Sequence, residues 1–303
     1  MPLEILPYFE PESCTWSYLV ADNQAGRVAI IDPVWVYDAV SGQVTTDFTD
    51  HMLAVVDSRN WQVDYVLETH AHADHMSSAG YIKSRTGAKI GIGKGICAVQ
   101  ASCKKIFNLA DVAEDGSQFD LLFCDGDRLK LGEFEIQIMD APGHTPDSIC
   151  YLVGDAAFIG DTLFAPYMGS ARCDFPGGNA GRLFDSIQKI YALSPETRLF
   201  LCHDYPDSGI DPRAEVPVSE SMRDNIHVSK ATSRDEFVQL RQSRDAGLDL
   251  PNLILPSLQV NIRGGRAPEV EDNNAPYLKI PFNQTIAQLL ESQHSRVEEA
   301  TDD

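Results

Sequence analysis

The chain has 303 residues, with 24 Lys and Arg against 45 Asp and Glu, a formal net charge of −21 and a pI of ≈ 4.6. Apolar residues make up 43% and charged residues 23%, which is ordinary for a globular protein and excludes a chain that is disordered throughout. The negative charge disfavours nucleic acid or an anionic membrane as the main partner. The sequence contains no apolar run long enough to predict a membrane span.

The ends of the chain and its cysteines predict a cytoplasmic protein. The first seven residues contain an acid and two prolines but no basic residue, so we expect no secretory signal peptide. The seven cysteines are scattered and form no Cys-x-x-Cys pair. In a chain of this length they are typical of reduced, mostly buried thiols.

The first half of the chain predicts a hairpin, three helices and one buried strand. Two apolar, β-branched runs flank a turn sequence at 22–26, and the Asp32-Pro33 dipeptide ends the second run. The buried strand leads directly into a histidine-rich segment. The predicted strands are 14–20, 26–31 and 63–67, and the predicted helices are 46–61, 76–85 and 95–107.

The second half repeats the order of hairpin, helix and strand. This weak repeat predicts an α/β fold of two similar halves packed face to face, an αββα sandwich with an appended C-terminal segment. A capping-box pattern at Ser233 and Glu236 opens a further helix, which Gly247 ends. The predicted strands are 128–131, 134–139, 148–153, 156–159 and 198–202, and the predicted helices are 181–193, 233–247 and 284–297.

The composition changes after Pro206, and this change suggests that the chain has three parts. Residues 1–210 are predicted to form the catalytic domain, and 211–283 a helical segment and proline-punctuated arm packed on it. Residues 284–303 are predicted to be a terminal helix and an acidic tail. The arm is also a candidate surface for a homodimer.

Five of the eight histidines fall in clusters that each follow a predicted strand. The first cluster places four possible metal ligands within six residues, and the later ones add a Pro-Gly-His turn, a Gly-Asp turn and a histidine followed by Asp-Tyr. The candidate ligands are His70, His72, Asp74, His75, His144, Asp161 and His203.

So many ionisable groups in one place are costly to bury unless a metal compensates them. Imidazoles and carboxylates suit Zn, Fe and Mn, and the absence of paired cysteines disfavours a structural zinc knuckle. The isolated His51, His227 and His294 are interpreted as surface or packed residues.

In order and spacing, these motifs resemble the metallo-β-lactamase superfamily over about residues 10 to 210. The quoted motifs are Thr-His-x-His-x-Asp-His from Thr69, Pro-Gly-His-Thr from Pro142, Gly-Asp-Thr from Gly160 and the late His203. The resemblance implies an αββα sandwich with the metal at the edge of the sheets. It does not fix the reaction.

Two subfamilies use these positions differently. In glyoxalase II-type thioester hydrolases, the resemblance implies one metal on His70, His72 and His144 and a second on Asp74, His75 and His203. Asp161 would then bridge the two metals. In persulfide dioxygenases, the counterparts of His70, His144 and Asp161 hold a single Fe(II), while His72, Asp74, His75 and His203 orient these ligands.

Several segments resemble the dioxygenases more closely. They include 13–20, 30–34, the Asp204-Tyr205 pair and the arm at 255–261 and 279–283, which replaces the glutathione-binding helical domain of glyoxalase II. The loop 169–175 resembles Gly-Cys-Gly-Arg-Thr-Asp-Phe. It departs from that pattern at Ser170, Ala171 and Cys173.

The expected substrate contacts are Arg172 and Tyr205. Because a persulfide anion must bind to an acidic protein, Arg172 is the candidate for a substrate carboxylate, with a salt bridge to Asp174 as its structural alternative. Tyr205 could donate a hydrogen bond to substrate or serve only as a packed wall residue.

The sequence therefore predicts an Fe(II)-dependent persulfide dioxygenase with one iron per chain. Its partners would be O₂ and glutathione persulfide or another low-molecular-weight persulfide, which it would convert to sulfite and thiol. Two alternatives stay open. One is a glyoxalase II-like thioester hydrolase with one or two Zn ions, and the other is a metal-binding scaffold or sensor without turnover.

Overall fold

The computed structural model describes residues 3–206 and 209–282. Within these ranges the helices are α1 Asp47–Ser58, α2 Ala79–Thr86, α3 Ile96–Phe107, α4 Ala180–Tyr191, α5 Val218–Asp224, α6 Arg234–Asp245 and α7 Ile254–Asn261. The strands are β1 Glu4–Glu10, β2 Thr15–Asp22, β3 Arg27–Ile31, β4 Val34–Asp38, β5 Gln43–Thr45, β6 Gln62–Leu67, β7 Met76–Ser77, β8 Lys89–Gly93, β9 Leu121–Phe123, β10 Arg128–Leu131, β11 Phe134–Asp140, β12 Ile149–Val153, β13 Ala156–Phe158, β14 Arg198–Phe200 and β15 Glu215–Pro217.

Two six-stranded sheets form the centre of the fold. The first has the strand order β1-β2-β3-β6-β8-β9 and the second β10-β11-β12-β13-β14-β15. Alternate residues of β2 show how the sheets pack: Trp16, Tyr18 and Val20 enter the layer between the sheets, while Leu19 and Ala21 face the other side. Both faces of the strand are therefore buried, as are all eight of its residues.

Helices cover the outer face of each sheet. Apolar residues of α1, α2 and α3 pack on the first sheet, and those of α4 and α6 pack on the second. The result is the αββα sandwich that the repeated element order predicts. In each half, the apolar faces of the helices pack against the outer face of the sheet, and this burial stabilises the fold.

Parallel pairing brings key strand ends to one edge. In the first sheet β3 pairs parallel with β6, and in the second β13 pairs parallel with β14. Because parallel neighbours end at the same edge, the loops that follow them lie side by side. These are the loops in which the sequence places most candidate ligands.

Some local predictions were wrong. Residues 76–77 form strand β7 against β4, and helix α2 begins only at Ala79, because the chain first makes backbone contacts across the sheet edge. The C-terminal arm contains helix α7, which was not predicted, and Pro256 lies in the first turn of this helix, where a missing N–H is tolerated. Strands β4, β5, β8, β9 and β15 and helix α5 were not predicted, since short elements carry little periodicity.

The C-terminal segment packs on the main body. Helix α6 begins with the predicted capping box between Ser233 and Glu236, and its Phe237 is fully buried beside Phe184 of α4. The division into 1–210, 211–283 and 284–303 stays a prediction. The helix predicted at 284–297 and the tail at 298–303 lie outside the described residues.

No helix in the described ranges is both long enough and apolar enough to cross a membrane.

Replacing Phe237 by Ala should destabilise the whole fold, because it removes a buried ring between α6 and α4. We expect the free energy of unfolding to fall by about 3–5 kcal/mol in guanidinium unfolding followed by tryptophan fluorescence. Phe282→Ala is the control, since that ring is 81% exposed and its loss should change stability by less than about 0.5 kcal/mol. Equal stability of the two variants would contradict the packing of α6 on the main body.

Candidate metal centre

The candidate ligands converge from four loops that follow strands. His70, His72, Asp74 and His75 follow β6, His144 follows β11, Asp161 follows β13 and His203 follows β14. His70, His72, His75 and His203 are at most 1% exposed, and Asp161 is 8% exposed. Six of the seven residues that the motifs single out are therefore buried, and Asp74 is half-buried beside them.

The donor atoms form two groups. His70, His144 and Asp161 make one group, and His72, Asp74, His75 and His203 make the other; within each, the donor atoms lie within 4.8 Å of one another. Asp161 faces both groups. Its Oδ2 lies 3.9 Å from His70 Nε2 and 3.6 Å from His144 Nε2, while its Oδ1 lies 3.4 Å from His203 Nε2.

Backbone carbonyls fix the protonation of two rings. His144 Nδ1 lies 2.7 Å from the Arg172 carbonyl oxygen, and His203 Nδ1 lies 3.2 Å from the Cys14 carbonyl oxygen. A carbonyl oxygen can only accept, so each Nδ1 carries the proton. In the neutral rings Nε2 therefore keeps its lone pair, and it is Nε2 that faces the carboxylates.

Asp32 fixes two rings of the first cluster, those of His70 and His72. The Thr69 hydroxyl donates to Asp32 Oδ2 at 2.9 Å and therefore accepts from His70 Nδ1 at 3.1 Å, which leaves the lone pair on His70 Nε2. His72 Nε2 donates to Asp32 Oδ1 at 3.0 Å, which leaves the lone pair on His72 Nδ1. The Thr69 amide also donates to Asp32, at 2.7 Å.

The electrostatics keep the rings of His70 and His72 neutral. Burial lowers the pKa of His70 and His72 well below the usual range, and the neighbouring imidazoles lower it further. Burial also raises the pKa of the Cys202 thiol, which lies beside Asp161, well above its usual value, so it is a protonated thiol and a poor ligand.

The donor set fits a metal ion. His70 Nε2, His72 Nδ1, His75 Nε2, His203 Nε2 and Asp161 Oδ1 are buried and have no hydrogen-bond partner within 3–206 and 209–282. Unpaired buried polar atoms are rare because each costs about 1–3 kcal/mol. Cations held by the two donor groups would give these atoms a partner.

A tight turn positions His144. Gly143 has φ +146°, and a Cβ there would lie 2.3 Å from the backbone of Leu183 in α4. Only glycine allows both this conformation and this approach. The predicted Pro142-Gly143 turn thus seats His144 against the start of α4.

Helix α7 holds the ligand loop from the opposite end of the sequence. Asn261 is buried, and its Nδ2 donates to the carbonyl oxygens of His72 and His75, both at 2.8 Å. Its Oδ1 accepts from the Ser77 amide at 2.8 Å. One side chain thus satisfies three backbone groups of the loop.

Helix α6 holds the loop 169–175 in a similar way. The buried Arg241 donates to the Ser170 carbonyl oxygen and pairs with Asp245, whose Oδ2 accepts from the Cys173 amide. Between these two points lies Arg172, whose carbonyl oxygen orients His144. The C-terminal segment therefore acts on the metal site through backbone contacts.

The donor groups open into a cavity of ≈ 710 Å³, which Arg172 and Tyr205 both line. Arg172 is paired with Asp174 and also donates to the Asp249 carbonyl oxygen at 2.6 Å. Tyr205 is 52% exposed and stacks on the His203 ring at 5.9 Å. Their roles in substrate binding stay predictions.

Sequence reasoning missed the residues that orient the ligands. Asp32 was interpreted only as the end of a strand. In the structure it has φ +46°, a conformation that is rare for a non-glycine residue and indicates a constrained site. Asn261 lies 186 residues from His75, so no local pattern connects the two. His227, interpreted as a lone packed or surface histidine, lines the cavity.

Comparison with known proteins identifies the relatives of this chain. The profile of the Metallo-beta-lactamase superfamily matches residues 14–203. A probable metallo-hydrolase of Burkholderia pseudomallei is 47% identical over 91% of this chain and 98% of its own length. The chain also matches a beta-lactamase hydrolase-like protein of Agrobacterium fabrum at 47% identity, covering 92% of this chain but only 64% of the relative.

Two further relatives belong to the predicted subfamily. The crystal structure of ETHE1 from Myxococcus xanthus is 30% identical, with a TM-score of 0.69, and the match covers 88% of this chain and 100% of that one. The human mitochondrial persulfide dioxygenase ETHE1 is 29% identical over 67% of this chain and 69% of its own length. These matches support the resemblance to persulfide dioxygenases.

Asn261→Asp should weaken metal binding, because it replaces a group that donates to two carbonyl oxygens by a carboxylate that repels them. We expect metal affinity to fall by about 10- to 100-fold, as for other residues that orient ligands. The measurement is a competition titration of metal-free protein with a chromophoric chelator. The exposed Asn60→Asp is the control for the added charge, and an affinity equal to that of this control would contradict the role of Asn261.

Proposed function

The chain belongs to the metallo-β-lactamase superfamily, and we propose that it is a non-haem Fe(II) persulfide dioxygenase. Its substrate would be glutathione persulfide or a similar low-molecular-weight persulfide. The balanced reaction is RSSH + O₂ + H₂O → RSH + SO₃²⁻ + 2H⁺. We further propose that the protein acts in the cytoplasm and that its partners are small molecules.

The separate group of His70, His144 and Asp161 is the observation that carries this proposal. Two imidazoles and one carboxylate are the ligand set of non-haem Fe(II) oxygenases, which leave positions open for O₂ and substrate. His72 does not join this group, because its Nε2 is bonded to Asp32 and its other donor atom falls among Asp74, His75 and His203. In a glyoxalase II-type site, His72 would share a metal with His70 and His144.

The relatives support the same choice. The ETHE1 structure from Myxococcus xanthus matches over its whole length, and the human relative is named as a persulfide dioxygenase. The match to the bacterial structure covers 88% of this chain, so it is not confined to the motifs.

The chain's own residues hold and orient the site. When bound, Fe(II) would activate O₂ for reaction with the persulfide sulfur, which itself provides the four electrons that reduce O₂. His144 and His70 present neutral Nε2 atoms because Arg172 and Thr69 fix their ring protons. His144 and Asp161 line the cavity, and His70 beside them is buried, so among the described residues the cavity is the route by which substrate would reach the centre.

A thioester hydrolase with two metals is the second candidate. It is favoured by Asp161, which turns one oxygen to each donor group as a bridging ligand would, and by the unpaired atoms of the second group. A hydroxide between two metals is a suitable nucleophile for a thioester. The names of the Burkholderia and Agrobacterium relatives agree with a hydrolase.

Protein loaded with Fe(II) under anaerobic conditions should consume O₂ when glutathione persulfide is added, and it should release sulfite in equal amount. His144→Ala removes one of three ligands, and we expect its uptake to fall to the level of metal-free protein. A zinc-loaded sample should also be inactive, since Zn²⁺ has no redox chemistry. An oxygen electrode and a sulfite assay measure both quantities.

Absence of uptake from protein that demonstrably holds iron would contradict the dioxygenase. Thioester hydrolysis with zinc would then favour the second candidate. Bound metal without either activity would favour the scaffold or sensor.

Metal stoichiometry should separate the two enzymes independently of activity. We expect one Fe per chain after reconstitution, lost in His144→Ala but retained in His75→Ala, because His75 belongs to the second donor group. Elemental analysis of desalted protein measures the ratio. Two metals per chain in the wild type, falling to one in His75→Ala, would indicate the dinuclear site.

A further inference from the structure

The C-terminal segment builds one wall of the cavity that contains the metal centre. The residues of this wall that line the cavity fall between 227 and 253 and include His227, Arg241 and Arg244. Arg241 and Arg244 are three residues apart on α6 and therefore share a helix face. A substrate whose sulfur reaches the metal ligands would place its remaining groups in this cavity.

Arg244 differs from the other arginines of the cavity. Arg172 is paired with Asp174, and Arg241 with Asp245. The side chain of Arg244 is exposed and has no ion pair or hydrogen bond within the described ranges. Among the described residues, Arg244 is therefore an unpaired positive charge in the cavity wall of a protein whose net charge is −21.

His227 offers a second donor on the same wall. Its Nδ1 accepts from the Ser170 amide at 2.9 Å, so in the neutral ring the proton lies on Nε2. Burial, together with the positive charges of Arg241 and Arg244, lowers the pKa of His227 to about 4, which keeps the ring neutral. His227 is 5% exposed, and its Nε2 has no hydrogen-bond partner among the described residues.

The ring of His227 is held rigidly. Gly169 has φ +93°, and a Cβ there would lie 2.1 Å from His227 Nδ1, so the loop backbone approaches the ring as closely as glycine permits. Asn225 donates to the Gly169 carbonyl oxygen and accepts from the His227 amide. A buried donor fixed in this way and left without an acceptor indicates a ligand with an acceptor group.

Acidic side chains also line the cavity. Asp74 and Asp161 belong to the metal centre, and the carboxylate of Glu10 accepts from nearby backbone amides. Glu12 and Asp249 remain, and they would repel an anion but attract an ammonium group. The cavity as a whole therefore suits a molecule with both charges, whose carboxylate is directed to α6.

We propose that Arg244, on the same cavity wall as His227, is the anion-binding residue for a carboxylate of the substrate. This inference rests on the proposed function for the identity of the reacting sulfur. Arg172 then serves mainly to hold the loop 169–175 against Leu248 and Asp249, to whose carbonyl oxygens it donates. Specificity lies in the C-terminal segment.

Binding of glutathione and of its diethyl ester tests the proposal without turnover. Isothermal titration calorimetry on metal-loaded protein compares the wild type with Arg244→Ala, Arg244→Lys and Arg182→Ala. Arg182 is the matched control, an exposed arginine on α4 outside the cavity and without an ion pair among the residues described. All four proteins are checked by thermal unfolding.

We expect Arg244→Ala to weaken the binding of glutathione by about 10-fold, the loss typical of one charge-assisted hydrogen bond. Arg244→Lys should recover part of this loss. The ester should bind weakly to the wild type and equally weakly to Arg244→Ala, because it carries no carboxylate. Arg182→Ala should behave as the wild type.

The subsite would be overturned by unchanged affinity for glutathione in Arg244→Ala, or by equal loss of affinity for the acid and the ester. Absence of glutathione binding by the wild type would overturn it as well. The dioxygenase proposal fails separately, in the oxygen-uptake assay, so a protein that binds glutathione through Arg244 yet consumes no O₂ would keep this inference and lose that reaction.

Discussion

The metal centre depends on the direction in which its buried imidazoles carry their protons. A neutral ring has one donor and one acceptor nitrogen, and only the acceptor can bind a metal. Here each fixed ring donates outward, His144 and His203 to backbone carbonyl oxygens, and His70 and His72 to Thr69 and Asp32. The lone pairs are thereby directed inward before any metal arrives, so little reorganisation is needed on binding.

Much of this orientation comes from segments far away in the sequence. Asn261 of α7 fixes the backbone of the loop that contains His72 and His75, and the Arg241–Asp245 pair of α6 fixes the loop that orients His144. Removing one member of a buried pair leaves an uncompensated charge, which commonly costs about 3–5 kcal/mol. The C-terminal segment therefore stabilises the site as well as covering it.

One arrangement of donors is compatible with two chemistries. Asp161 places one oxygen near His70 and His144 and the other near His203, so it could serve one metal or two. The contacts of His72 support the single Fe(II) of the proposed function, because its Nε2 donates to Asp32 and the residue groups with Asp74, His75 and His203. The ligand residues alone therefore do not select between the two reactions.

The sequence by itself determined the αββα class, most long elements and the seven candidate ligands, because apolar periodicity and dense local motifs such as 69–75 depend only on neighbouring residues. It could not determine the two donor groups, the orienting roles of Asp32 and Asn261, or the cavity wall formed by His227 and Arg244. These features depend on contacts between residues that are far apart in the sequence; His75 and Asn261, for example, are 186 positions apart. Such contacts exist only once the two sheets and the C-terminal helices have packed, because a hydrogen bond between distant segments leaves no periodic pattern in either of them.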